Sequence, residues 1–292
     1  MDPADMFPAG SSHVHTRFVT VASGLRLRVA EAGDRTDPPL LLLHGWGASI
    51  YMWRDWFVPL AAAGRRVIAI DLPGHGLSDK PQSASAYRLD GMMSVVREFL
   101  DAEGITTTDV VAQSMAGTIA LELAMEQSSR IGRAALVNPA CFGRVRLQRL
   151  GRMLSPSVVD ALLPHLVARW LIARTHRMVY GDPSRITRRD EEEYWAPSQF
   201  PSYARAMRRL VHEFRWTRPP ARDMARRLDV LNRGVLVVLG TKDSLVRDAP
   251  AYVAELRELG ARLEVRMVES GGHAVNEERA SEVVNLVLEY LS

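Results

Sequence analysis

Apolar and polar positions change their spacing several times along the chain, and each change marks an element. Over "RFVTVASG" and "LRLRVAEAG" they alternate with period two on either side of Ser23-Gly24, which predicts a β-hairpin. "PLLLLHG" is a continuous apolar run, the pattern of a strand buried on both faces. A helix is expected around residues 51–63, followed by the strand in "RRVIAIDLPG". "YRLDGMMSVVREFLDAEG" brings Met92, Val95, Val96, Phe99 and Leu100 onto one helical face. "DVVAQS" reads as a short buried strand, "MAGTIALELAMEQ" as a helix and "GRAALVNPA" as a strand.

The alternation then stops. Residues 141–233 carry no convincing strand and read as several helices. One is expected to begin at Ser155-Pro156, an N-cap followed by proline at the first helical position. Val159, Leu162, Leu163, Leu166 and Trp170 would share its apolar face. Further helical stretches are "RRDEEEYW" and "SYARAMRRLVHEFRW". Strand–helix alternation resumes with "GVLVVLG", a helix at 250–259, "ARLEVRMVE" and a terminal helix from about 276 to 291. The class is therefore α/β: a mostly parallel, twisted sheet with helices on both faces, joined by right-handed crossovers. A helical cap, 141–233, is inserted after the sixth strand of a core made from 17–140 and 234–292. Residues 1–16, with Pro3 and Pro8 and no apolar core, read as a flexible tail rather than a signal peptide.

Charge reinforces the division. Residues 144–233 hold 19 arginines against 9 carboxylates, while the rest holds 18 basic residues against 25 acidic ones. One basic segment thus sits within an acidic chain of net charge +3, as two structural units would. No apolar run reaches the length of a membrane span, and the lone Cys141 can form no internal disulfide. A cytoplasmic protein, monomeric or homodimeric, is the expectation.

The break in "VVAQSMAGTIALELA" carries the chemistry. Ser114 falls on the turn between a strand and a helix. A turn that tight crowds the residues two before and two after, and Ala112 and Ala116 are both small. The hydroxyl would be exposed at the carboxyl end of the sheet, with a helix N-terminus facing any anion formed beside it. In this the chain resembles the α/β-hydrolase fold superfamily, whose elbow is usually Gly-x-Ser-x-Gly. Here it is Ala112-Gln113-Ser114-Met115-Ala116, with alanine replacing both glycines.

The resemblance implies the chain order nucleophile, acid, base. Gly240 to Asp243 matches the family's Gly-x-x-Asp, and Gly272-His273 its Gly-His. Ser114, Asp243 and His273 are thus the implied triad. Some relatives take the acid from the preceding strand end. That position is Asn138, an amide that cannot stabilise an imidazolium as a carboxylate does. Asp248 reads as a cap or surface acid, and His75 in "DLPGHGLSDKP" as a structural loop histidine. The implied oxyanion donors are the backbone N–H groups of Met115 and, from "HGWGAS", Trp46.

A serine nucleophile favours a carbonyl substrate. Attack by serine on an alkyl carbon would leave an ether, which argues against dehalogenase and epoxide-hydrolase chemistry. The expected activity is hydrolysis of small to medium apolar acyl or aryl esters, with no metal and no organic cofactor. Alternatives are hydrolysis of activated carbon–carbon bonds, thioesters or lactones on the same triad, and a non-catalytic ligand receptor. Trp170, Trp195, Phe200, Tyr203, Phe214 and Trp216 give the cap aromatic surface for a substrate pocket. Its arginines suit an anionic substrate, peripheral lipid contact or the acidic core; no nucleic-acid motif accompanies them.

Overall fold

The computed structural model describes residues 2–145, 148, 151–153, 155, 156, 168–231 and 234–292. Eight strands form one sheet: β1 His15–Thr20, β2 Arg26–Ala32, β3 Pro39–Leu43, β4 Arg66–Ile70, β5 Thr108–Gln113, β6 Ile131–Val137, β7 Val235–Gly240 and β8 Leu263–Val268. Their order is β1-β2-β4-β3-β5-β6-β7-β8. β1 and β2 form the antiparallel hairpin, β2 pairs antiparallel with β4, and every later pairing is parallel. The central strands are apolar throughout because both faces are covered. Helices α1 (Phe57–Ala62), α2 (Leu89–Ala102) and α3 (Met115–Glu126) follow β3, β4 and β5 in sequence. On one face α2 and α3 build a core around Phe99, Ile119 and Leu136; on the other, Trp53, Phe57 and Leu60 pack on Leu42, Val111 and Val238.

Between β6 and β7 the described residues form no strand. They form α4 (Arg169–Val179), α5 (Arg188–Trp195), α6 (Pro201–Glu213) and α7 (Ala221–Leu228). The stretch with Val159, Leu162, Leu163 and Leu166 lies outside the described residues. After β7 comes α8 (Ala249–Glu258). The expected single terminal helix is divided into α9 (Val275–Glu278) and α10 (Ala280–Leu291). The break falls at Arg279, whose φ of −128° and ψ of 40° are not helical. α9 is turned to meet other partners: the carboxylate of Glu277 binds Arg54 and Tyr194, and that of Glu278 binds two backbone N–H groups.

The register places the carboxyl ends of the strands together. Leu43 lies beside Ala112, Gln113 beside Val137, Val137 beside Val238, and Gly240 beside Val268. The loops that follow β3, β5, β6, β7 and β8 therefore leave from one edge, where open parallel sheets bind ligands.

The N-terminal segment departs from its expectation as a flexible tail. Met6 is buried, and the Phe7 ring packs at 5.9 Å from Tyr51 and 5.8 Å from Phe57. The Phe7 N–H donates to Glu193 on α5 at 2.7 Å, and Arg28 donates to the Phe7 carbonyl. Two isolated apolar residues between prolines make no periodic signal, yet Met6 is buried and Phe7 packs between core and insertion. Deleting residues 1–8 is expected to lower the unfolding free energy by about 2–4 kcal/mol, the burial worth of one to two such side chains. Urea unfolding of the shortened chain measures it.

Candidate active site

The elbow is built by backbone. Ser114 has φ 51° and ψ −115°, and its N–H donates to the Val137 carbonyl at 3.0 Å. Non-glycine residues of positive φ among those described are Ser114, Asn138 and Ser270, all in loops at this edge. Each such residue stores strain on the order of 1–3 kcal/mol, which the surrounding packing must hold. Ala112 and Ala116 are fully buried on either side of the turn. α3 starts at Met115, so its unpaired N-terminal amides point at the space beside the hydroxyl.

His273 and Asp243 meet Ser114 there. The imidazole Nε2 lies 2.8 Å from Ser114 Oγ, and Nδ1 lies 2.7 Å from Asp243 Oδ2. All three residues are buried. The second oxygen of Asp243 accepts N–H bonds from Leu245 at 2.7 Å and Val246 at 3.1 Å. Burial pushes this carboxyl pKa up, but the imidazole and the two amides outweigh it and hold it below the usual carboxylate range. Asp243 is thus an anion aimed at Nδ1, which leaves Nε2 to accept a proton from the hydroxyl.

The loop after β3 runs against Ser114. A Cβ on Gly45 would stand 2.1 Å from Gln113 Oε1 and 3.1 Å from Ser114 Cβ, so glycine lets the loop approach without displacing the Gln113 amide. His44 pins the loop: Nδ1 donates to the Gly45 carbonyl at 2.8 Å, and Nε2 accepts from the Leu72 N–H at 3.0 Å. Among the described residues neither the Trp46 nor the Met115 N–H donates to a protein acceptor. The Trp46 indole donates to the Met207 carbonyl on α6 at 3.2 Å.

Two residues that sequence reasoning did not credit hold His273 in place. Gln113 Nε2 donates to the His273 carbonyl at 3.0 Å. Asn138 Nδ2 donates to the carbonyls of Gly272 and His273 at 2.9 and 3.0 Å, while its Oδ1 accepts from Gly240 N–H at 2.9 Å. The side chain passed over as an acid is therefore a three-way tie between β6, β7 and the histidine loop. The available signal was a polar residue closing the apolar run "AALV". His75 and Asp248 stand apart from the relay. Burial drives the His75 pKa well down, and its ring packs edge-on to His44; Asp248 binds Arg144 and Arg218. Cys141 is buried, and burial pushes its thiol up to about 12, too high for a reactive thiolate.

A cavity of about 530 Å³ opens on Ser114 and His273. Its wall is mainly apolar, with Met52, Leu171, Val179, Met207 and Val246, and α4 and α6 supply much of it. Of the six aromatics expected there, Tyr203 and Trp216 line it. The other four are corrections. Trp170 is 68% exposed on the outer face of α4 beside a different recess. Trp195 stays outside the wall, Phe200 packs on the core with Lys80 over its ring, and Phe214 is buried edge-on to Trp216. Aromatic content does not reveal which face of a helix turns inward. The arginines find carboxylates: Arg215 and Arg227 both bind Glu122 of α3, and Arg177 binds Glu191. Among the described residues no helix is long and apolar enough to cross a membrane.

Asn138→Ala leaves a buried amide and two carbonyls short of a partner. The expected loss is about 2–4 kcal/mol of stability, read by denaturant titration.

A family model described as the alpha/beta hydrolase fold matches residues 38–280. The dihydrolipoyllysine-residue acetyltransferase component of the acetoin cleaving system of Pseudomonas putida is 29% identical over 92% of this chain and 67% of its own. A haloalkane dehalogenase of Psychrobacter cryohalolentis is 38% identical over 40% of this chain and 38% of its own. Among solved structures, a bacterial membrane phospholipase A superposes with a TM-score of 0.78 at 24% identity, over 96% of this chain and 86% of the other.

Proposed function

The chain belongs to the alpha/beta hydrolase fold family, and from that premise we propose that it is a serine hydrolase of carboxylic esters. The observation that carries the reading is the continuous Ser114–His273–Asp243 hydrogen-bond relay opening on an apolar cavity. Ser114 Oγ attacks the ester carbonyl as His273 Nε2 takes its proton. Asp243 orients the imidazole and stabilises its positive charge. The tetrahedral oxyanion is held by the N–H groups of Met115 and Trp46, each worth about 3–4 kcal/mol on the precedent of other hydrolases. His273 returns the proton to the departing alcohol. Water, activated in the same way, then releases the acid from the acyl-enzyme and restores Ser114.

Serine, rather than a carboxylate, at the elbow separates this chemistry from that named for the haloalkane dehalogenase relative. The described helices of the segment 141–233 act as the lid, and the apolar wall they present favours an uncharged acyl or aryl group. A second reading is cleavage of an activated carbon–carbon bond in a diketone-type acid on the same triad. It calls on the same Ser114–His273–Asp243 geometry and the same cavity.

Ser114→Ala is expected to lower turnover by about six orders of magnitude. A panel of p-nitrophenyl esters of increasing chain length, run beside dienoic diketone acids, reads both class and pocket size. Ester activity surviving in the variant would refute the assignment. Trp170, Leu171 and Met178 are exposed on α4 close to Arg174, so any peripheral lipid contact falls on that face. Ester turnover stimulated by anionic vesicles, and lost in Trp170→Ala, is the expected signature; indifference to vesicles counts against it.

A further inference from the structure

Glu278 lies five residues beyond His273 and takes no part in the relay. It is buried, and two separate segments bring N–H groups to its carboxylate. Gly272, directly before His273, donates to Oε2 at 2.6 Å; Asp182, just after α4, donates to Oε1 at 2.8 Å. Arg185 reaches the Glu278 carbonyl at 3.1 Å. Beside this clamp the Ala274 N–H donates to the Val179 carbonyl at 3.0 Å. The two chains touch backbone to backbone: a Cβ on Gly272 would stand 2.2 Å from the Gly181 nitrogen. The segment that ends α4 is thus bonded directly to the loop that carries the imidazole.

A loop with two consecutive glycines before its functional residue has wide freedom unless it is tied. Gln113 and Asn138 tie it from the carbonyl side. From the amide side the tie is a charge-assisted hydrogen bond to Glu278, of the stronger kind. We propose that Glu278 is a positioning residue for His273, and that it links the placement of the imidazole to the docking of residues 179–182 on the core. The proposal rests on the reading of Ser114, His273 and Asp243 as a hydrolytic relay. With Glu278 in place Nε2 stays within reach of Ser114 Oγ; without it the loop moves. A shift of about 1 Å at such a distance costs up to about 100-fold in rate.

Glu278→Gln keeps the shape but turns an amide NH2 toward one of the two N–H donors, so one of the two bonds is lost. The expected result is a kcat for p-nitrophenyl butyrate about 10- to 100-fold lower, with KM within about twofold. The far-downfield proton resonance of the His273–Asp243 hydrogen bond should broaden with it. A variant with wild-type kcat and an unchanged resonance overturns the proposal. The second measurement uses the unmodified protein, so it stands if the variant does not fold. Amide exchange at Gly272 and Asp182 should be slowed to a common rate, since one carboxylate holds both; exchange at the rates of free loops overturns the link. A wild-type protein that neither cleaves esters nor labels Ser114 with a fluorophosphonate would sink the hydrolase reading instead, and the exchange rates would still decide the clamp.

Discussion

The carbonyl oxygen of His273 accepts hydrogen bonds from Gln113 and Asn138, and the relay depends on that grip. Ser114 is placed by a strand and a helix, Asp243 by the end of another strand. His273 has neither; it sits in a loop after β8, where the chain would otherwise be free. Two side-chain amides from β5 and the end of β6 reach across and fix it. One of them, Asn138, also holds the Gly240 N–H at the end of β7, so the segments carrying Asp243 and His273 are referred to the same residue. A positive φ at Asn138 is what brings its amide into this position.

Much of the sheet was legible because strands covered on both faces must be continuously apolar. "PLLLLHG" and "GVLVVLG" could hardly be anything else, and motifs after the fifth, seventh and eighth strands carried the family resemblance that implied residues 114, 243 and 273. What the chain did not declare were contacts made by single polar residues with distant backbone. Asn138 was weighed only as a failed acid, since a sequence shows the type of a side chain and not the carbonyls it faces. Glu278 reads as one carboxylate among several in "NEERASEV". Met6 and Phe7 were lost for another reason: burial of an isolated pair leaves no periodicity to detect. The four misplaced aromatics failed because helical phase within the insertion depends on neighbours far away in sequence.

The basic character of the insertion also takes a plainer form than its composition suggested. Arg215 and Arg227 converge on Glu122 of the core, Arg218 meets Asp248, and Arg209 caps carbonyls of Pro81 and Gln82. Opposite net charges on the two segments are thus partly spent on holding one against the other. Arg54 does the same from the core side, binding Asp190 of α5 and Glu277 of α9 together. The apolar wall over Ser114 is presented by helices anchored at their rims by ions.

The glycine seam has a consequence for anyone reshaping this protein. At Gly181 and Gly272 the two backbones leave no volume for even a methyl group. Residues in the cavity wall, such as Met52 or Leu171, can be exchanged for others of similar bulk while the frame stands. Randomised libraries should therefore spare the seam and spend their diversity on the wall: one is a joint cut to fit, the other is upholstery.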